Sequence, residues 1–210
     1  MTSAVVPVKG LASSKSRLLP YLGRDAVERL AIAMLGDVVA ALREVPTLSR
    51  VAVVTPDARV AKAAEQIGAE PLLRRYPDLN AALDGSAEDL AGRDDDSVLV
   101  VLGDVAGVRA TELERLVAAV PDGGVALAPS SDGGTSALMR RPWNAIEASF
   151  GPGSAAVHRE HARQRSLVFV ELALPSLAID IDEPADIEAA LAGGSPGAGP
   201  RTRAVLESLP

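Results

Sequence analysis

Cysteine is absent from this chain of 210 residues. Disulfides, thiolate metal sites and thiol nucleophiles are therefore excluded. Histidine is nearly absent: His158 and His161 are the only two, too few for a His-rich metal centre. Phe, Trp and Tyr make up 2% of the residues, so the core has to be built from Val, Leu, Ile and Ala. Positive charge is in the minority, with 21 Lys and Arg against 28 Asp and Glu and a formal net charge of −7. That balance argues against a broad DNA or RNA footprint and against docking on an anionic membrane. No apolar run approaches a membrane span, and the N-terminus lacks the apolar segment of a signal peptide. The expectation is a cytoplasmic protein that binds neither nucleic acid nor membrane. No internal repeat is visible.

What is present reads as alternating strands and helices. A short apolar run from Ala4 to Val8 predicts a buried strand. After Gly23, the residues Val27, Leu30, Ala31, Met34, Leu35, Val38, Val39 and Leu42 recur at three- and four-residue steps, one stripe of a long helix that Pro46 stops. Arg50–Thr55 and Glu70–Leu73 read as strands, with a helix from Pro56–Asp57 to Ile67 between them, and 79–90 reads as helical. Arg93–Asp96 reads as a solvated charged turn, and Ser97–Leu102 is a continuous apolar run, as expected of a central parallel strand. Thr111, with Glu114 three residues on, predicts a capping box. Further strands are expected at Val125–Ala128, Ser136–Met139, Leu167–Leu172 and Leu177–Ile181, with helices at Gly153–Gln164 and after Glu183–Pro184. The pattern defines an α/β fold: one Rossmann-like domain over 1–192, a mostly parallel mixed sheet with helices on both faces. A Gly/Ser/Pro-rich linker and tail, 193–210, follow it.

Ligands of such sheets bind at the carboxyl ends of the strands. Lys9, Thr55 and Asp104 fall at such ends. Lys9, Lys15 and Arg17 sit on a polar loop after the first strand, an anion cradle whose natural guest in an acidic chain is a polyphosphate. Asp104 directly follows the most apolar strand and is a candidate Mg²⁺ ligand; the alternative is an Asx-turn or a helix cap. Asp180 and Asp182 end another predicted strand, and either Asp182 or Glu183 could instead be a helix N-cap. Gly133–Ser136 offers backbone N–H groups and hydroxyls. Phe150–Ser154 leads into a helix N-terminus, which favours an anion. Three anion-binding elements suggest two anionic substrates. His158 lies one helical turn past Ser154, facing the same site or simply buried.

These motifs, taken together and in order, resemble the phospholactate/phosphoenolpyruvate guanylyltransferase family of coenzyme F-420 biosynthesis, GT-A-like nucleotidyltransferases. The resemblance is carried by Val-Pro-Val-Lys ending at Lys9, Ser-Lys-Ser-Arg-Leu ending at Leu18, and Leu79-Asn80-Ala81-Ala82-Leu83. It continues through Gly103-Asp104, Gly134-Thr135-Ser136-Ala137-Leu138, Phe150-Gly151-Pro152-Gly153-Ser154 with His158, and Asp180-Ile181-Asp182-Glu183-Pro184. It implies that GTP and a phosphorylated three-carbon acid, phosphoenolpyruvate or 2-phospho-L-lactate, are joined with release of pyrophosphate. By the same resemblance Lys9, Lys15 and Arg17 bind the GTP phosphates, with Asn80 near the nucleotide. Asp104 with Asp180 or Asp182 holds Mg²⁺, and Thr135, Gly151 and Ser154 seat the acid. Two departures stand out: Asp104-Val105-Ala106 replaces the family's usual Asp-Leu-Pro, and Gly134-Thr135-Ser136 its usual Gly-Thr-Asn. The competing readings are a nucleotidyltransferase for a molybdopterin, sugar or polyol phosphate, and a non-catalytic nucleotide-binding module. The first is disfavoured by a loop with the single glycine Gly10, the second by retention of Lys9, Arg17, Asp104 and the Asp pair.

Overall fold

A computed structural model describes residues 1–91, 96–178, 180–191 and 197–209. Seven strands form one sheet: β1 (Thr2–Pro7), β2 (Leu48–Thr55), β3 (Glu70–Leu73), β4 (Ser97–Val101), β5 (Gly124–Pro129), β6 (Thr135–Arg141) and β7 (Val168–Glu171). Their spatial order is β3-β2-β1-β4-β6-β5-β7. β3, β2, β1 and β4 are parallel neighbours, β6 runs antiparallel between β4 and β5, and β7 pairs parallel with β5. The helices are α1 (Leu19–Arg43), α2 (Ala58–Gln66), α3 (Leu79–Ala91), α4 (Ala110–Ala118), α5 (Ser154–Gln164), α6 (Pro184–Leu191) and α7 (Pro200–Glu207).

Alternation along the strands divides the core. Ala4, Val6, Val53, Leu99 and Val101 face α1, α2 and α4, whereas Val5, Ala52, Val54, Val98 and Val100 face α3 and α5. Both faces are covered, which is why the strands read as continuous apolar runs. The core is aliphatic, as the composition requires.

All eight residues of the predicted α1 stripe are buried. The helix begins earlier than the periodicity suggests, at Leu19 with Pro20 in its first turn, and Gly23 kinks it at φ 74°. Two local expectations fail. Thr111 does not cap α4: Arg109 holds the extended cap position, its carbonyl accepting from Glu112 N and Leu113 N, so Thr111 is already inside the helix. Leu177–Ile181 is not a strand of the sheet. Pro175–Leu177 forms a 3-10 turn, Ser176 N and Oγ donate to the Glu112 carboxylate, and one bridge joins Asp180 to Val105. The backbone donors there serve the turn and α4 instead of a neighbouring strand. The predicted turn at 93–95 and the linker residues 193–196 lie outside the described residues. The tail beyond them forms α7, which packs on α1.

Candidate active site

Because β1, β2 and β4 are parallel neighbours, their carboxyl ends open on one edge. A cleft of about 790 Å³ lies there, lined by Lys9, Lys15, Thr55, Asp104 and Asp182 and floored by Val8, Val54, Leu79, Ala82 and Leu102. The strand ends approach closely. A Cβ on Gly103 would stand 2.9 Å from Val8 Cγ2 and 3.1 Å from the Pro7 carbonyl oxygen, so the residue before Asp104 has to be glycine.

The loop after β1 is tied down at Leu11, whose buried side chain joins the main core and whose N–H donates to Asp57 Oδ2 at 3.0 Å. Asp57 also caps α2 through Arg59 N at 2.9 Å, as the Pro56–Asp57 start implies. Lys15 adopts φ 47°, a left-handed backbone uncommon for a residue with a side chain. Its Nζ lies 2.9 Å from Asp104 Oδ2 and 2.6 Å from Asp182 Oδ1, with the side chain only 5% exposed. Burial opposes the ammonium charge, but Asp104 and Asp182 outweigh it and raise the pKa above the ordinary lysine value. Asp182 is held in turn by α6: its N–H and that of Glu183 donate to Asp186 Oδ2 at 2.9 and 2.7 Å, the side-chain half of a capping box.

Lys9 is exposed at the cleft, whereas Arg17 points away from it into an exposed ion pair with Glu183 at 2.9 Å. Asp180 is off the cleft lining; partial burial and then the Asp182 charge raise its pKa. Among the described residues no three His, Asp or Glu side chains gather as a ready-made metal cage.

The start of β6 borders the same edge, since Leu102 N donates to Ser136 O at 3.0 Å. Here Thr135, Ser154 and His158 are buried in one chain of hydrogen bonds. Ser154 Oγ is 2.9 Å from Thr135 Oγ1, which is 3.1 Å from His158 Nδ1. Ser149 N donates to His158 Nε2 at 3.0 Å. An accepting Nε2 leaves the ring proton on Nδ1, donated to Thr135. Burial first, then Arg140 and His161, push the His158 pKa down to about 4, so the ring is neutral. Gly151 is exposed beside this chain, at the N-terminus of α5. Asn80 does not point its amide into the cleft: Oδ1 accepts from Phe150 N at 2.7 Å and Nδ2 donates to Phe150 O at 3.2 Å. One turn on, Asp84 accepts from Ala148 N at 3.1 Å and pairs with buried Arg140 at 2.5 Å. α3 thus holds the 146–150 loop from two positions on one face.

Sequence reasoning missed Arg74, Arg75 and Tyr76, which line the cleft just past β3. The signal was available: two cations and an aromatic at the carboxyl end of another parallel strand, the rule already applied to Lys9. It missed Asp84 and Arg140 because a buried ion pair leaves no periodic mark.

Parallel strand ends that open on one cleft, with a lysine bridged by two carboxylates there, are the frame of a nucleotidyltransferase-like α/β domain. Solved structures agree on the fold. A Desulfovibrio desulfuricans protein named for the nucleotide-diphospho-sugar transferases superposes with TM-score 0.76 at 16% identity, covering 98% of this chain and 94% of that one. A nucleotidyl transferase from Methanothermobacter gives 0.63 at 17% identity, covering 89% and 94%. A Mycobacterium tuberculosis protein in complex with manganese gives 0.58 at 18% identity, covering 92% and 98%. The sequence is more specific. Residues 2–209 match the model of the family described as "Guanylyl transferase CofC like", and the chain belongs to that family. Relatives include the phosphoenolpyruvate guanylyltransferase of Sphaerobacter thermophilus, 42% identical over 93% of this chain and 94% of that protein. The 3-phospho-D-glycerate guanylyltransferase of Colwellia psychrerythraea is 32% identical over 89% and 90%.

Proposed function

We propose that this protein is a guanylyltransferase that joins GMP from GTP to a phosphorylated three-carbon acid, in coenzyme F-420 biosynthesis, with phosphoenolpyruvate as the acid. The family and the name of the Sphaerobacter relative support the reaction and the acid. The observation that carries the site is Lys15 held between Asp104 and Asp182 at the carboxyl ends of parallel strands. A phosphate oxygen of the acid forms a bond to the α-phosphorus of GTP, the bond from that phosphorus to the β-bridging oxygen breaks, and pyrophosphate leaves. The attacking oxygen is already anionic, so no side chain has to remove a proton. Neutral, buried His158 fits that requirement as a structural group. Catalysis then consists of positioning and charge neutralisation. Lys9 and Lys15 face the triphosphate, and Arg17 closes the same loop from outside. The exposed Gly151 turn and the N–H groups at the start of α5 meet the acid, while buried Thr135 and Ser154 hold that turn from behind through their hydrogen bonds to each other and to His158.

The residues fit a divalent cation. Asp104 and Asp182 form an all-oxygen pair of the kind Mg²⁺ prefers, with substrate phosphates completing its shell, and the Lys15 ammonium already sits between them as a cation. When bound, Mg²⁺ would neutralise charge on the transferred and departing phosphates. Asp104 and Asp182 would hold it, with Asp180 as a neighbouring third carboxylate. The test is Asp104→Asn. It should keep the fold by circular dichroism and lower pyrophosphate release by at least about a hundredfold, the scale of losing one transition-state charge contact. Turnover near the parent's at saturating Mg²⁺ would remove Asp104 from the metal site.

A further inference from the structure

Residues 197–209 lie behind the charged centre, and one buried side chain fastens them there. Asp37, in the middle of α1 and 4% exposed, accepts from Arg201 N at 3.1 Å through Oδ1 and from Thr202 N at 2.9 Å through Oδ2. A buried carboxylate is tolerated only when its oxygens are satisfied, and this one satisfies both on the first turn of α7, where the helix dipole also favours it. The packing is tight: a Cβ on Gly199 would fall 2.5 Å from Asp37 Cγ. Gly199 N then donates to Ala106 O at 2.7 Å, two residues past Asp104.

The apolar contacts repeat the connection. A third cluster, separate from the two faces of the sheet, contains Leu18, Ala106, Ile181 and Leu206, with Ala198 and Val205 packed against it. Leu18 ends the loop that carries Lys15. Ala106 belongs to the loop that carries Asp104. Ile181 lies between Asp180 and Asp182. Each segment that meets in the Lys15–Asp104–Asp182 bridge therefore anchors one apolar residue on the cluster that the tail closes.

We propose that the tail is part of the scaffold of the active centre and that Asp37 is a positioning residue. It touches no substrate; by docking α7 it holds the three charged loops in register. This rests on the assignment of Asp104 and Asp182 to the reaction made above.

The test compares Asp37→Ala with Val60→Ala in the full chain. Val60→Ala loosens the main core under α2, away from the tail, and is the destabilised control. Amide hydrogen exchange is followed in the peptides covering 104–106 and 180–183, and Mn²⁺ is titrated without nucleotide. Asp37→Ala should speed exchange in both loops at least about tenfold, as local opening predicts. It should also weaken Mn²⁺ binding and lower kcat more than it raises KM for GTP. Val60→Ala should lower the melting temperature and leave the two loops and the Mn²⁺ affinity unchanged. If Asp37→Ala does not fold, Gly199→Ala lifts the tail while keeping Asp37, and the same pattern is expected. Parent-like exchange in the two loops with a freely exchanging tail would overturn the proposal. Faster loop exchange in a protein whose parent form binds no Mn²⁺ would uphold the positioning role and overturn the metal assignment instead.

Discussion

An ammonium 2.9 Å from one carboxylate and 2.6 Å from another carries out two tasks at once. Lys15 keeps Asp104 and Asp182 from repelling each other, and it occupies the space between them where a divalent cation is proposed to bind. Lys15→Met should therefore tighten Mn²⁺ binding to the nucleotide-free protein while reducing turnover, since the cation loses a competitor and the triphosphate loses a contact. Unchanged or weaker Mn²⁺ affinity in calorimetry would contradict this. His158 makes a prediction of a different kind. Its pKa is about 4 in the fold against 6.5 as an ordinary histidine. Between those values the unfolded chain binds a proton that the folded chain refuses, so this contribution to stability is present above the window and lost as pH falls through it. The full difference is worth about 3 kcal/mol. Urea midpoints of His158→Gln should lose that part of the pH slope; parallel curves for variant and parent would contradict the assignment. The place of Asp104 was legible because an apolar strand ends just before it. Which of Asp180 and Asp182 meets Lys15 was not, because the segment is no strand and alternation says nothing about a turn anchored by Asp186.

Among the elements, α3 links the two halves of the site. Its outer face lines the cleft through Leu79 and Ala82, while Asn80 and Asp84 grip the loop before α5. Removing the Asn80 amide leaves a partly buried N–H and carbonyl of Phe150 without partners, a penalty of about 1–3 kcal/mol for each such group. Asn80→Ala should accordingly raise KM for phosphoenolpyruvate and change KM for GTP little. A larger change for GTP would put Asn80 on the nucleotide side, where the family resemblance had placed it. The sequence could locate Asn80 on a helix but not its partner, which is 70 residues away. Elements whose pattern is set by burial, such as β1, β4 and α1, were readable from periodicity alone. Two details were not: the cap of α4 falls on Arg109 two residues before Thr111, and the chain entering 177–181 is turned at Ser176, which donates to Glu112 64 residues away.

At the scale of the whole molecule, an acidic protein collects cations at one edge of its sheet. Lys9, Lys15, Arg74 and Arg75 all line the cleft of a chain whose net charge is −7. Asp78, Asp104 and Asp182 line it too, so within the cleft the cations exceed the carboxylates although the whole chain is acidic. Among the described residues no helix is long and apolar enough to cross a membrane. The fold alone does not choose a substrate, since structures at 16% and 17% identity share it under different names. Phosphoenolpyruvate and 2-phospho-L-lactate differ by one unsaturation, and 3-phosphoglycerate from both by a hydroxyl and the carbon that carries the phosphate, differences within the reach of small pocket changes. The most direct test is a matrix of GTP, ATP and CTP against these three acids and a sugar phosphate, with pyrophosphate release and product mass measured in each cell. GTP with phosphoenolpyruvate should release pyrophosphate in step with a product of the mass of guanylylated phosphoenolpyruvate, and to a greater extent than any other pair. Preferred turnover of CTP or of the sugar phosphate, or tight GTP binding with no pyrophosphate released from any pair, would contradict the assignment.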